Sequence, residues 1–246
     1  MTEETFQKYN MVFIRVVRTA SESLVKSLKE YAKENDLRTI AMKQDSNVDN
    51  LEKNFNLSLN HIAYTEKNRR IFEDRVNKDN PLIFISAVRD PLRRSISHFQ
   101  WNPMSKEMSY NEWYDKHGDQ EYEDAGWYKN IWVKKVGNNP NLTVHPYKTN
   151  NYMSEYMGFN SLDEITEENL LSRYFYIFIT EYLKKSLDIF GNKINFKFNE
   201  YNENSNDREL RYKEYSEIDI KIKKKFINNN QIDYKLYKLS KKLYLN

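Results

Sequence analysis

A short apolar run that passes straight into a helix start, with arginines and serines crowded at the joint, constrains this chain more than any other feature. It reads Leu82-Ile83-Phe84-Ile85-Ser86-Ala87-Val88-Arg89-Asp90-Pro91-Leu92-Arg93-Arg94-Ser95-Ile96-Ser97-His98-Phe99. Residues 82–88 are brief, β-branched and aromatic, the pattern of a central strand in a parallel sheet. Asp90 is placed to cap a helix whose first residue is Pro91, where a missing N–H costs nothing. At about 100° per residue, Leu92, Ile96 and Phe99 share the core-facing stripe, while Arg93, Arg94 and Ser97 point the opposite way. Arginines in a first helical turn oppose the macrodipole, and an anionic ligand would reconcile the two. The plain alternative is a solvated arginine face behind an ordinary strand.

A second joint of the same kind lies near the N-terminus. Residues 11–17 read as a strand, and Arg18-Thr19-Ala20-Ser21-Glu22-Ser23 follows at once, before a helix with Leu24, Leu28 and Tyr31 on one face. Thr19 and Glu22 have the spacing of a capping box, the purely structural account of this turn. That account leaves Arg18, Ser21 and Ser23 unexplained, whose charge and hydroxyls suit a phosphate at a helix N-terminus. The turn holds no glycine, so neither the Walker A pattern nor the dinucleotide fingerprint fits.

Together the two joints resemble the sulfotransferases, in particular the branch containing the heparan and uronyl 2-O-sulfotransferases. Arg18 to Ser23 is similar to that family's Lys-Thr-Ala/Gly-Ser/Gly-Thr-Ser turn, which grips the 5′-phosphosulfate of 3′-phosphoadenosine 5′-phosphosulfate. The resemblance therefore implies donor binding by Arg18, Thr19, Ala20, Ser21, Glu22 and Ser23. Arg89 and Ser97 match the arginine and serine that hold the 3′-phosphate in the family. Residues 174–181 resemble the later strand and helix start of the same fold, and Asn204-Ser205 a loop that closes over the nucleotide. Arg18 departs from the pattern, since the family usually has lysine there.

The surroundings are consistent with one α/β domain spanning residues 1–246. Strands are expected near 11–17, 38–42, 57–63, 82–88 and 174–179 with helices between them, giving a mostly parallel sheet flanked by helices; the resemblance implies the P-loop-like sulfotransferase version of that class. Lys and Arg number 39 against 36 Asp and Glu, a net charge of +3, which is not a nucleic-acid footprint. The chain has no cysteine, which excludes disulfides and thiolate metal sites and suits a reducing compartment. No apolar run approaches membrane-spanning length and the first residues lack the marks of a signal peptide, so a soluble, cytoplasmic protein is expected.

Other segments carry two readings. The tryptophans fall between Trp101 and Trp132 with Tyr110, Tyr114, Tyr122 and Tyr128 among them, either a sugar-stacking wall or a satellite core. Near the C-terminus Lys223, Lys224, Lys225, Lys241 and Lys242 suggest a basic tail. Ile232, Leu236, Leu239 and Leu243 recur at helical spacing, so the lysines are expected on the wet face of a packing helix.

Sulfuryl transfer needs a held donor, a base for the acceptor hydroxyl and positive charge on the leaving phosphate oxygen. Arg18 is the candidate for the charge. Guanidinium grips two oxygens and is permanently charged, but it donates a proton less readily than the lysine it replaces. His61 is the candidate base: it is expected late in a short strand, between the two phosphate sites in sequence. A histidine at a comparable place is the base in the 2-O-sulfotransferase branch, and an ordinary pKa of about 6.5 suits the role. His98, His117 and His145 compete less well, the last two in segments that read as loops. The resemblance thus implies metal-free, in-line transfer to a hydroxyl, on a carbohydrate. Two rivals stand beside it. A P-loop phosphoryl-transfer enzyme would need Mg²⁺ and a Walker lysine-serine pair, which is missing. A non-catalytic nucleotide-binding module would need Arg89 and Ser97 but not His61.

Overall fold

The most apolar segments of the chain pair into one sheet. In the computed structural model, which describes residues 8–40, 51–100, 103–118, 150–199 and 217–246, the strands are Asn10–Ile14 (β1), Thr39–Ile40 (β2), Leu57–Ser58 (β3), Leu82–Val88 (β4) and Tyr176–Ile179 (β5). Every pairing is parallel and the order is β2-β3-β1-β4-β5. All five strands lie where the apolar patterning puts them, though most are shorter. β1 ends at Ile14, not at residue 17, and β3 ends at Ser58, so His61 lies beyond the ladder. In register, β1 runs from Asn10 opposite Leu82 to Ile14 opposite Ser86. Parallel strands buried on both faces need apolar side chains throughout, and β1 and β5 are buried at every position.

The helices are Ser21–Glu34 (α1), Glu66–Arg75 (α2), Pro91–Phe99 (α3), Tyr110–His117 (α4), Tyr152–Tyr156 (α5), Glu167–Arg173 (α6), Leu183–Ile194 (α7), Ile220–Asn229 (α8) and Gln231–Tyr244 (α9). Among the described residues no helix is long and apolar enough to cross a membrane. The chain forms two compact units. The first comprises Met1–Arg89, Met153–Asn202 and Lys235–Asn246 and holds the sheet; the second comprises Asp90–Tyr152 and Glu203–Tyr234.

In the first unit, buried phenols tie the framework to β5. Tyr176 donates to the Tyr244 carbonyl, Tyr244 to the Tyr174 carbonyl and Tyr174 to the Met157 carbonyl, each at 2.9 Å. Burial pushes the Tyr176 phenol up to about 12 and the Tyr174 phenol well above its ordinary range. Both therefore stay protonated and able to donate.

The core of the second unit joins Leu92, Ile96 and Phe99 of α3 to Tyr110, Trp113 and Tyr114 of α4 and Phe226 of α8. Trp113, Tyr110 and Tyr114 are thus core residues, the first two packed against the Phe99 ring and Tyr114 stacked on Tyr110, and do not form an open wall. Trp101, Trp127, Trp132, Tyr122 and Tyr128 lie outside the described residues. The C-terminal segment is helical as its periodicity suggests, with Lys224 and Lys242 exposed. The buried line of α9 is Asp233, Leu236, Ser240 and Tyr244; Ile232, Leu239 and Leu243 only flank it.

Candidate functional site

The loop after β1 makes a turn that its residue types do not announce. The Ser86 hydroxyl donates to the Ile14 carbonyl at 2.9 Å, closing the ladder there. The chain then places Arg18 at φ 68° and Ala20 at φ 56°, two L-residues in the left-handed region within three positions. Thr19 between them is buried and its hydroxyl donates to the Val16 carbonyl at 2.9 Å. The capping box that the spacing of Thr19 and Glu22 allows therefore does not form. Ala20 occupies the N-cap position with no side-chain cap, and Glu22 reaches Arg15 in an ion pair. The physical reason is the backbone: a capping side chain acts from an extended N-cap residue, and here that residue is left-handed and its side chain has no polar atom. The start of α1 thus has no cap from its own N-cap residue. Ser21, the first helical residue, is buried and makes no hydrogen bond through its hydroxyl to a described residue. Ser23, two residues on, is half-buried.

Three strands deliver the remaining groups to the same edge of the sheet. The chain leaving β1 goes to the β3–β2 side and the chain leaving its neighbour β4 goes to the β5 side, and ligands of open parallel sheets sit beyond the carboxyl ends at such a switch. Arg89 follows directly on β4, and its Nη1 donates to the Arg18 carbonyl at 3.4 Å. This contact brings together the two joints that lie far apart in sequence. From the neighbouring strand, the Thr180 hydroxyl donates to the Val88 carbonyl at 3.0 Å and fixes the residue before Arg89.

His61 comes from the loop after β3, three residues past the last residue of that strand rather than within it as expected. Its Nδ1 lies 3.0 Å from the Arg15 carbonyl. A carbonyl only accepts, so Nδ1 carries the hydrogen, and the neutral ring holds its lone pair on Nε2. That is the tautomer a base at Nε2 requires. Arg15 also donates from Nη1 to the Leu59 carbonyl at 3.1 Å, which ties the ends of β1 and β3 together. Sequence reasoning passed over Arg15; its only signal was a charged residue interrupting an apolar strand. Arg18, His61 and Arg89 are all half-buried, open enough to meet a ligand and enclosed enough to be held.

The second unit opens on Asp90, so Arg89 and Ser97 belong to different units. Here α3 starts as its sequence predicts: the Asp90 carboxylate accepts from the Arg93 N–H at 2.9 Å, with Pro91 in the first turn. The arginine face differs from expectation. Arg93 is half-buried, and Arg94 is only 1 % exposed, its guanidinium 4.5 Å from the centre of the Tyr152 ring. Ser97 is buried too, and its hydroxyl makes no hydrogen bond to a described residue. The periodicity of α3 alone cannot reveal a ring arriving from α5. His98 is half-buried, its ring 6.3 Å from that of Tyr152. His117 closes α4 in place of the loop expected there. His145, Asn204 and Ser205 lie outside the described residues. Among the described residues no three His, Asp or Glu side chains gather as metal ligands would. Compared with known proteins, no family profile matches this chain and no curated protein matches it.

Proposed function

We propose that the chain is a sulfotransferase that moves a sulfuryl group from 3′-phosphoadenosine 5′-phosphosulfate to an acceptor hydroxyl. The observation that carries this reading is the Arg89 to Arg18 hydrogen bond, which joins two anion-suited turns at the switch point of a parallel sheet. Residues 18–23 would hold the 5′-phosphosulfate over the uncapped start of α1. Arg89 would hold the 3′-phosphate, and Ser97 joins it on the sequence resemblance alone. The carbohydrate nature of the acceptor likewise rests on that resemblance.

The bound donor supplies the sulfuryl group; the side chains supply charge and a proton sink. The Arg18 guanidinium stabilises the negative charge that grows on the phosphate oxygen as its bond to sulfur breaks. His61 Nε2 takes the proton of the acceptor hydroxyl as its oxygen bonds to sulfur, while the Arg15 carbonyl holds the ring and favours the imidazolium that results.

Transfer of radiolabelled sulfate from the donor to a panel of carbohydrate, phenol and tyrosine-peptide acceptors tests the reading. His61→Ala should lower turnover by roughly 10²–10⁴-fold and leave nucleotide affinity intact. A protein that binds 3′,5′-bisphosphate yet labels no acceptor would be the binding module instead. Unchanged turnover in His61→Ala would remove His61 from the chemistry.

A further inference from the structure

We propose that Arg94 is the receptor for a tetrahedral oxyanion, a phosphate or sulfate group, built into the second unit. The inference does not depend on the sulfotransferase reading. It starts from a charge with nowhere to go. Arg94 is 1 % exposed, its Nε and Nη1 are buried with no hydrogen-bond partner, and no carboxylate pairs with it among the described residues. The compensating contact it makes among the described residues is the face of Tyr152, 4.5 Å away. Stacking on an aromatic ring offsets only part of the cost of desolvating a cation. A buried lysine or histidine would escape by losing its proton, but guanidinium stays charged at every working pH.

The neighbouring groups are disposed to leave that charge unanswered. Asp90, the N-cap residue of α3, accepts from the Arg93 N–H at 2.9 Å, which engages this carboxylate with the backbone. Ser95 is occupied by the Tyr110 hydroxyl, which donates to its oxygen at 2.9 Å. Ser97, three residues on and therefore on the same side of the helix, is buried with a hydroxyl that meets no described partner. Arg94 thus presents unused N–H donors with one spare hydroxyl beside it, within the first turns of a helix whose dipole favours an anion. Guanidinium matches the geometry of phosphate and sulfate oxygens through several donors at once, which a halide ion cannot exploit.

Thermal unfolding of the full chain in sodium sulfate or sodium phosphate, against sodium chloride at matched ionic strength, tests the proposal. Wild type should gain a few degrees of Tm in a saturable way at millimolar oxyanion. Arg94→Met should melt higher than wild type in chloride, because an unpaired buried charge is gone, and should lose the saturable gain. Arg94→Lys keeps a point charge without the fork and should retain a smaller gain, which preserves the test if Arg94→Met does not fold. Absence of a saturable gain in wild type, or an equal gain in Arg94→Met, would overturn the proposal. Repeating the titration with saturating adenosine 3′,5′-bisphosphate identifies the source of the anion. A sulfate response that disappears assigns Arg94 to a nucleotide phosphate, and one that persists assigns it to an anionic group on a second substrate.

Discussion

The helices that follow β1 and β4 begin in opposite ways. α3 has a side-chain cap from Asp90 and a proline in its first turn, so its start is satisfied by its own sequence. α1 has neither: its N-cap is a left-handed alanine, and the two residues that looked like a capping pair are engaged elsewhere. A start that is complete without ligand serves stability, and an uncapped one leaves N–H groups for something else to satisfy. The difference sets the two joints apart physically. The α1 turn is the one without a cap from its own N-cap side chain. The α3 joint instead carries arginine side chains, Arg89 before it in the first unit and Arg94 within it in the second.

The largest perturbation removes the contrast by removing the sheet beneath it. Tyr176 is neutral in the folded state with its pKa raised to about 12 by burial, while an unfolded phenol titrates near 10. The stability this group contributes is fully present below about pH 10 and lost as pH rises through about 12. Far-UV circular dichroism should show an alkaline unfolding transition in that window, with a shallower pH dependence in Tyr176→Phe. An identical alkaline transition in the two proteins would show that this phenol is not linked to folding.

Within the folded protein, Arg18→Ala should reduce turnover by about 10²–10³-fold with a smaller loss of donor affinity, because the charge it meets develops only in the transition state. Arg18→Lys should retain activity. Turnover unaffected by Arg18→Ala would reduce the α1 turn to a structural feature. Asp90→Ala should act in the other currency, lowering stability by about 0.5–2 kcal/mol in chemical denaturation. The smallest effect belongs to Ala20→Gly. A left-handed alanine costs about 1–2 kcal/mol and glycine returns part of that as unfolded-state entropy, leaving a net gain of roughly 0.5–1 kcal/mol. A destabilised Ala20→Gly would mean that the alanine methyl packs usefully and the turn is not strained.

Legibility from sequence followed the length scale of the interaction. All five strands were visible as apolar runs, and the α3 cap was visible because Asp90 and Pro91 act on their immediate neighbours. The left-handed turn at Arg18 and Ala20 was not visible, since no glycine marks it and the conformation is imposed by contacts such as Thr19 to Val16. The role of Arg15 was hidden for a different reason: His61 uses its carbonyl, a group every residue has. Arg94 was placed on the wet side by helical periodicity, which is blind to a ring supplied by Tyr152. Ser97 as a phosphate ligand remains a statement of resemblance, because its unit is separate from that of Arg89.

The central claim is that Arg89 and the α1 turn, joined through the Arg18 carbonyl, form one site for a bisphosphorylated nucleotide. Isothermal calorimetry of wild type and Arg89→Ala with adenosine 3′,5′-bisphosphate and with adenosine 5′-phosphate tests it most directly. A charge-assisted contact contributes roughly 1.5–3 kcal/mol, so Arg89→Ala should weaken the bisphosphate by about 10–150-fold and the monophosphate far less. Equal losses for both nucleotides, or none for either, would contradict the assignment of Arg89 to the 3′-phosphate.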